Sequence, residues 1–316
     1  MKITILDTST LGDDLSLDLF DEFGEVEKYD RTTPEQVSDR IKFSDVVIIN
    51  KVKLNESNLS RAKNLKLICV AATGYDNVDT EYCKNNNIAV CNVVGYSSDS
   101  VAQVTVSMVL NLVNHINEYN HFVNDGSYTK SGVQNCLVPV YHEMRGKTWG
   151  IIGLGGIGRQ VAQIAKAFGC NILSYKRKPD LEYKCVSIED LMKQSDIISI
   201  HIPLNPDTKN LINADMLSLA KKDVIIVNAA RGAVWNEEDI TKAIEENRIG
   251  GIGCDVYSVE PMADNHPFNR ILNRNNVCLT PHMAWGSYEA RVRCVNEIKK
   301  NIKSFFAGEI RNRVDI

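Results

Sequence analysis

Short apolar segments alternate with amphipathic segments along almost the whole chain. They predict five strands in the first hundred residues: Ile3–Leu6, Glu25–Tyr29, Val46–Ile49, Leu67–Ala71 and Ile88–Cys91. Six more strands are predicted at Trp149–Ile152, Ile172–Tyr175, Ile197–Ile200, Val224–Asn228, Gly250–Cys254 and Val277–Thr280. The intervening segments have helical spacing, as in Thr33–Ile41, which carries Pro34 in its first turn. This alternation is typical of α/β proteins with parallel sheets.

Two longer segments predict helices outside the regular alternation. The segment Asp99–Glu118 is rich in valine, leucine and isoleucine, and it predicts one long, mostly buried helix between two domains. The segment Ser287–Gly308 predicts a helix that returns to pack on the first domain. A chain of 316 residues exceeds the usual size of one core, so two domains are expected. We place one at residues 1–98 and 287–316 and the other at residues 99–286.

Composition and charge exclude several classes of protein. The chain is 44% hydrophobic and 24% charged, with a net charge of −4, which gives no reason to expect a nucleic-acid or acidic-membrane partner. The first predicted strand follows Met1 directly and leaves no room for a signal peptide, so a cytoplasmic location is expected. None of the nine cysteines forms a C-x-x-C pair, and we expect structural thiols and no metal site.

A glycine-rich turn follows the sixth predicted strand. Gly153, Gly155 and Gly158 have the spacing G-x-G-x-x-G, and the helix-like segment Gln160–Phe168 follows at once. The first glycine permits a tight turn, the second lets the backbone approach a pyrophosphate, and the third lets the helix pack on the strand. The N–H groups at the start of the helix would face the phosphates. The order of strand, turn and helix therefore predicts a dinucleotide-binding domain.

Polar residues follow the last three predicted strands, where open α/β sheets bind their ligands. Arg231 follows the first of them, Asp255 and Glu260 the second, and His282 the third. An arginine can hold a 2-keto acid through a planar fork of charged donors. Histidine is suited to proton transfer near neutral pH, and a neighbouring carboxylate would fix its ring. Each turn alone would be unremarkable, and their shared edge favours a functional site.

The chain resembles the D-isomer-specific 2-hydroxyacid dehydrogenases over nearly its whole length. The matching motifs are Gly153-Leu-Gly-Gly-Ile-Gly158, His201-Ile-Pro-Leu204 with Thr208, Asn228-Ala-Ala-Arg-Gly232, Asp255-Val256 with Glu260-Pro261, and Pro281-His282. The resemblance implies an enzyme in which Arg231 binds and polarises the substrate, His282 exchanges the proton, and Glu260 tunes that histidine. It also implies two Rossmann-like domains, in which a doubly wound dinucleotide-binding domain is inserted into a flavodoxin-like catalytic domain built from both chain ends.

Further contacts are implied by the resemblance alone. The cofactor contacts would be Gly153, Gly155, Gly156, Ile157, Gly158, Ile202, Pro203, Thr208, Ala229, Ala230 and Asp255. Asp255 would meet the nicotinamide carboxamide. Backbone N–H groups at Thr73 and Gly74 would meet the substrate carboxylate, although an ordinary strand-to-helix turn is the alternative there. The family also implies a homodimer joined through the cofactor domains.

Within the family the chain resembles most the glycerate dehydrogenase or hydroxypyruvate reductase branch. The similar segments are Asn50–Asn55, Cys91–Tyr96 and Pro281–Trp285. This implies reduction of a small 2-keto acid of the hydroxypyruvate or glyoxylate type, with Trp285 narrowing the pocket or serving only at an interface. Lys51 would add positive charge or be simply solvated. The alternatives are a 3-phosphoglycerate or branched 2-hydroxyacid dehydrogenase, or a non-catalytic, corepressor-like protein that senses nucleotides.

Basic residues stand where an NAD-binding domain usually has an acid. That acid normally ends the second strand of the domain and binds the ribose hydroxyls. Here the strand is followed by Lys176 and Arg177, and no carboxylate appears until Asp180, beyond Pro179. A 2′-phosphate carries up to about two negative charges and suits such a cluster. We therefore expect NADPH to be favoured over NADH, with a solvated basic run that accepts either cofactor as the alternative.

Overall fold

The computed structural model describes residues 1–178 and 180–316 of the chain. Its strands are β1 Lys2–Ile5, β2 Glu25–Lys28, β3 Val46–Ile49, β4 Leu67–Val70, β5 Ala89–Cys91, β6 Thr148–Ile152, β7 Asn171–Tyr175, β8 Lys184–Cys185, β9 Ile197–Ile200, β10 Ile225–Asn228, β11 Gly251–Cys254 and β12 Val277–Leu279. Its α-helices are α1 Pro34–Ile41, α2 Glu56–Leu59, α3 Thr80–Asn85, α4 Ser98–Val113, α5 Ile116–Asn124, α6 Ser127–Ser131, α7 Gly156–Ala167, α8 Ile188–Gln194, α9 Ala214–Leu219, α10 Glu237–Glu245 and α11 Tyr288–Phe306.

The chain divides into two compact units, one of them built from both chain ends. The first comprises Met1–Ser97 and Gly286–Ile316, and the second comprises Ser98–Trp285. Each boundary lies one residue from the position expected from the sequence. The first unit has a parallel five-stranded sheet in the order β2-β1-β3-β4-β5, and α11 packs near β4 as expected for a returning helix.

The second unit has a parallel seven-stranded sheet in the order β12-β11-β10-β9-β6-β7-β8. Along β6, Trp149 and Ile151 contribute to one buried cluster, while Ile152 contributes to another. Because successive residues of a strand face opposite sides, both faces of the sheet are covered, as in a doubly wound fold. The chain leaves β6 toward β7 and later returns to β9 on the other side. The carboxyl ends of β6 and β9 therefore form the switch point where such folds bind ligands.

Two features of this unit differ from the sequence prediction. The expected single helix over Asp99–Glu118 is wrong, because α4 ends at Val113 and α5 starts at Ile116. His115 has a left-handed backbone with φ of 51°, and its Nδ1 lies 2.7 Å from Glu118 Oε1. A residue in that conformation interrupts the helical hydrogen bonds. The short edge strand β8 was also not predicted, since two residues carry no periodic pattern.

Candidate active site

The glycine-rich turn joins β6 to α7 at the switch point of the second sheet. Gly153 has φ of +98°, and a Cβ there would lie 2.7 Å from the carbonyl oxygen of His201. A Cβ on Gly158 would lie 2.2 Å from the carbonyl oxygen of Gly153, so helix and turn pack in direct contact. A Cβ on Gly155, by contrast, would meet nothing described within 4 Å. The turn is therefore closely packed at Gly153 and Gly158, whereas the space beside Gly155 is open.

The N-terminus of α7 provides the donors for an anion. The helix starts at Gly156 with Gly155 as its N-cap, and within the described residues no side chain caps it. The first N–H groups of a helix have no partner inside the helix and carry its positive dipole end. Gly156 is exposed and Ile157 is half-buried, so the backbone is accessible there. This turn fits a dinucleotide pyrophosphate as the sequence predicted.

The end of β7 is more balanced in charge than the sequence suggested. Lys176 Nζ lies 3.2 Å from Asp180 Oδ2, and the Arg159 guanidinium binds the same carboxylate. The N–H of Glu182, with Lys176 and Arg159, lowers the pKa of Asp180 to about 2, so the carboxylate is ionised. Separation along the chain was therefore a poor guide, because Asp180 contacts the very lysine that takes the place of the usual acid. Arg177 and Lys178 are exposed, whereas Pro179 lies outside the described residues.

The segment after β9 borders the glycine-rich turn. A Cβ on Gly153 would lie 2.6 Å from Ile202 Cγ2, which shows how closely Ile202 packs on that turn. The Thr208 hydroxyl donates to the carbonyl oxygen of Pro203 at 2.7 Å and accepts from the N–H of Asn205 at 2.8 Å. Ile202 therefore packs against the glycine-rich turn, and Pro203 is the next residue of the chain. The Thr208 hydroxyl closes the loop that begins with these two residues.

Arg231 is presented by a short turn after β10. The buried side chain of Asn228 accepts from the N–H of Ala230 at 3.0 Å and donates to the carbonyl oxygen of Arg231 at 3.0 Å. Ala229 and Ala230 are half-buried at the strand end. The Arg231 guanidinium donates to the carbonyl oxygen of Ala230 at 2.9 Å. Asn228 therefore fixes the backbone from which Arg231 projects.

Asp255 holds the loop that carries His282. Its carboxylate is 1% exposed and accepts from the Thr280 hydroxyl at 2.6 Å, the Met283 N–H at 2.9 Å and the Ala284 N–H at 2.9 Å. The three donors stand on both sides of His282. The sequence interpretation assigned Asp255 only to the cofactor, whereas the structure shows that it also fastens this loop.

Glu260 and His282 are in direct contact. Glu260 Oε2 lies 2.5 Å from His282 Nδ1, and Glu260 Oε1 accepts from the N–H of Tyr257 at 3.0 Å. The side chains of His282 and Glu260 are 24% and 31% exposed, so both remain accessible. His282 has a left-handed backbone with φ of 53°. The loops after two neighbouring strands thus bring the acid and the imidazole together, as their positions in the sequence suggested.

His201 belongs to one of the motifs of the resemblance, but its surroundings do not suit proton transfer near neutral pH. Both of its ring nitrogens are buried without a hydrogen-bond partner in the described part of the chain. Burial lowers the pKa of His201 to about 3, so the ring is neutral near pH 7. Trp285, the last residue of the second unit, is half-buried.

In the first unit, Thr73 and Gly74 lie in the turn after β4. The N–H of Val93 donates to the carbonyl oxygen of Ala72 at 3.0 Å, and Asn92 Nδ2 donates to that of Thr73 at 2.7 Å. The Thr73 hydroxyl donates to the carbonyl oxygen of Val93 at 2.8 Å. These bonds fasten the turn through its carbonyl and hydroxyl groups, and not through the N–H groups that an anion would need.

The loop around Lys51 is organised by a buried acid that the sequence reading did not single out. The Asp7 carboxylate accepts from the N–H groups of Asn50, Lys51 and Val52, and burial raises the pKa of Asp7. The Lys51 side chain itself is exposed. These three hydrogen bonds to one carboxylate hold the backbone of residues 50–52 in place.

Neither a membrane span nor a metal site is found in the described residues. No helix among them combines the length and the apolar character needed to cross a bilayer. No group of three or more histidine, cysteine, aspartate or glutamate side chains has the arrangement of a metal site within residues 1–178 and 180–316.

Comparison with known proteins identifies the family. Residues 106–284 match the model of the D-isomer specific 2-hydroxyacid dehydrogenase, NAD binding domain. The chain is 35% identical to a glycerate dehydrogenase of Methylorubrum extorquens, covering 99% of both proteins, and 33% identical to a hydroxypyruvate reductase of Blautia hydrogenotrophica, covering 100% of both. Its fold matches an acyclic imino acid reductase in complex with NADPH and D-Arg, with a TM-score of 0.88 and 31% identity over 99% of this chain and 100% of that one. The chain therefore belongs to the D-isomer-specific 2-hydroxyacid dehydrogenases, which are NAD-dependent oxidoreductases acting on a CH–OH group.

Proposed function

We propose that the protein reduces a small 2-keto acid of the hydroxypyruvate or glyoxylate type to the D-2-hydroxy acid. The observation that carries this proposal is the contact of 2.5 Å between Glu260 and His282, since an acid-supported imidazole is the proton donor that keto reduction needs. Two relatives of this chain are named glycerate dehydrogenase and hydroxypyruvate reductase, which supports the substrate class.

His282 is the proposed proton donor and acceptor. Because Nδ1 faces Glu260, the second ring nitrogen, Nε2, is the one that would give its proton to the keto oxygen. Glu260 stabilises the charged ring and fixes its orientation. In the reverse direction the same nitrogen would remove the proton from the hydroxyl group. The bound nicotinamide would supply the hydride.

Arg231 and the turn at Thr73 and Gly74 are the proposed substrate ligands. The Arg231 guanidinium would bind the keto acid through two parallel donors and stabilise the charge that develops on the keto oxygen. Backbone N–H groups at Thr73 and Gly74 would bind the substrate carboxylate. The support for this second role is that the hydrogen bonds described for the turn use its carbonyl and hydroxyl groups.

A panel of 2-keto acids tests the substrate class. We expect oxidation of NADPH or NADH with hydroxypyruvate or glyoxylate at a kcat/KM at least about tenfold above that with a branched 2-keto acid or with 3-phosphohydroxypyruvate. The measurement is the loss of nicotinamide absorbance at a fixed enzyme concentration. A higher kcat/KM for either competitor would assign the chain to another branch, and no turnover with any substrate would favour a nucleotide-sensing protein.

The proposed cofactor site lies entirely in the second unit. The pyrophosphate would be held by the turn from Gly153 to Gly158, whose open face at Gly155 leaves room for it. The contacts with the rest of the cofactor are proposed for Ile202, Pro203, Thr208, Ala229, Ala230 and Asp255. This assignment makes Ser98–Trp285 the dinucleotide-binding domain. The other unit is then the catalytic, or substrate, domain of this family.

A preference for NADPH over NADH is part of the proposal. Lys176 and Arg177 follow β7. The last residue of that strand is Tyr175, whose carbonyl oxygen accepts a hydrogen bond from the N–H of Gly153 at 3.0 Å. The basic residues therefore stand next to the phosphate-binding turn, within reach of a ribose 2′-phosphate. Asp180 opposes this preference, because it neutralises part of the charge of Lys176 and Arg159. We expect the preference to survive, because Arg177 adds a further exposed charge.

Replacement of Asp180 by asparagine should strengthen that preference. Removing the carboxylate releases Lys176 for a phosphate, whereas Arg159 still pairs with Glu182. For partly exposed ion pairs we expect a gain of about threefold to fivefold in the ratio of kcat/KM for NADPH to that for NADH. The wild-type ratio tests the preference itself, and the ratio in Asp180→Asn tests the role of the ion pairs. Asp215→Asn, on the exposed start of α9, is the matched control. A ratio that falls in Asp180→Asn would contradict this role.

We also propose a cytoplasmic homodimer joined through the second unit. Large apolar side chains between residues 116 and 141 are exposed there: Ile116, Val123, Val133, Leu137, Val138, Val140 and Tyr141. A patch of this kind commonly marks a protein interface. The nine free cysteines suit a reducing compartment. A mass of 35.3 kDa by light scattering, that of one chain, would contradict the dimer.

A further inference from the structure

We infer that Glu237 is a positioning residue: it binds the loop Tyr257–Pro261 and thereby holds Glu260 against His282. The inference rests on the proposed roles of Glu260 and His282. Glu237 is the first residue of α10, and its side chain is only 9% exposed. A carboxylate loses its hydration when it is buried, so its location calls for compensating donors.

Those donors come from Ser258 in the loop. Glu237 Oε1 accepts from the N–H of Ser258 at 2.8 Å, and Oε2 accepts from the Ser258 hydroxyl. His266 Nε2 lies 3.1 Å from Oε2, although the two atoms do not meet with hydrogen-bond geometry. His266 Nδ1 accepts from the N–H of Phe268 at 3.2 Å, which places the proton of a neutral ring on Nε2, on the side of Glu237. The Glu237 carboxylate therefore binds the loop through both the backbone N–H and the hydroxyl of Ser258, and the buried imidazole of His266 lies next to it.

Gly232 also packs against the peptide bond between Tyr257 and Ser258, whose N–H Glu237 accepts. A Cβ on Gly232 would lie 2.0 Å from the carbonyl carbon of Tyr257 and 2.2 Å from the nitrogen of Ser258. Gly232 directly follows Arg231, so the backbone next to Arg231 rests on this peptide bond. With Gly232 packed against it and Glu237 bound to it, the peptide bond between Tyr257 and Ser258 has little freedom to move.

The same short segment determines where Glu260 lies. The N–H of Tyr257 donates to Glu260 Oε1 at 3.0 Å, while Oε2 faces His282. The Tyr257 hydroxyl donates to the carbonyl oxygen of Thr280 at 2.9 Å, and the N–H of His282 donates to that same oxygen at 3.1 Å. Tyr257 therefore connects the loop of the acid with the loop of the imidazole. A shift at Ser258 would reach Glu260 through the neighbouring residue.

Loss of Glu237 should thus weaken catalysis without weakening the cofactor site. In Glu237→Ala the N–H and the hydroxyl of Ser258 lose their acceptor, and the loop can move away from Gly232. We expect kcat to fall by about 10- to 100-fold, with the KM for the nicotinamide cofactor within about threefold of wild type. Glu237→Gln keeps one acceptor for Ser258, and we expect it to lose only about 3- to 10-fold in kcat. It serves as the second variant if Glu237→Ala does not fold.

A double-mutant cycle distinguishes positioning from general stability. If Glu237 acts through Glu260, Glu237→Ala should lower kcat by less than about threefold when it is added to Glu260→Gln. The matched control is Glu238→Gln, whose side chain is on the same helix and pairs with Arg270. Full multiplication of the two losses, or an unchanged kcat in Glu237→Ala, would overturn the inference while leaving the proposed function intact. An unchanged kcat in Glu260→Gln would instead overturn the proposed role of Glu260, and the inference with it.

Discussion

Replacement of His282 should lower kcat by about 10²–10⁴-fold, because general acid–base catalysis by one positioned group contributes that much to the rate. His201 is no substitute, since burial lowers the pKa of its neutral ring to about 3. The variant needs care, because His282 has φ of 53°. Asparagine tolerates this conformation better than alanine does, so His282→Asn separates the loss of the imidazole from backbone strain.

The measurement is kcat with the preferred keto acid, together with the dissociation constant of the cofactor. The cofactor constant should stay within about threefold of wild type, since the proposed phosphate contacts are made by another turn of the same unit. His121→Asn, on the solvent-exposed α5, is the control. A kcat within tenfold of wild type in His282→Asn would rule out the proposed role of His282.

Replacement of Arg231 by lysine should lower kcat/KM for the keto acid by about 10²–10³-fold. Lysine keeps the charge but loses the planar fork, and each lost hydrogen bond to a charged partner costs about 1.5–3 kcal/mol. Lysine also cannot reproduce the bond of 2.9 Å from the guanidinium to the carbonyl oxygen of Ala230 while facing a substrate. The loss of kcat/KM in Arg231→Lys should therefore be larger than a small shift in the position of the positive charge would cause.

The test is the kcat/KM of Arg231→Lys for the keto acid against that of Arg248→Lys, whose side chain pairs with Glu246 at 2.9 Å. We expect the control to match wild type. If added guanidinium salt restores part of the turnover in a smaller variant, Arg231→Ala, the missing fork is the cause. Equal kcat/KM values for Arg231→Lys and the control would show that charge alone is enough at this position.

Much of the fold could be predicted because its strands are buried on both faces. Short, largely apolar runs such as Val46–Ile49 and Ile197–Ile200 are typical of central parallel strands, and their bounds agree with the prediction to the residue. The break at His115 could not be predicted, since neither glycine nor proline marks it. There the left-handed turn is held by the contact with Glu118, which becomes visible only once the backbone is folded.

The candidate site was predictable where residues follow strands directly, and obscure where contacts cross from one element to another. Glu260 and His282 follow neighbouring strands, so their meeting could be expected. The sequence does not single out Glu237, because an acid in the first turn of a helix is explained by the helix dipole alone. Asp180 looked too distant along the chain to oppose Lys176. Both depend on how loops return, and periodicity contains no information on that.

The three hydrogen bonds of Asp255 have a thermodynamic consequence. They restrict the backbone on both sides of His282 already in the folded chain, so the conformational entropy of this loop is lost once, on folding, and not again in every catalytic cycle. The imidazole is then part of a preorganised scaffold, whose dipoles need little rearrangement when charge develops. If His282 transfers the proton as proposed, the buried Asp255 would lower the reorganisation free energy of that step without exchanging a proton itself.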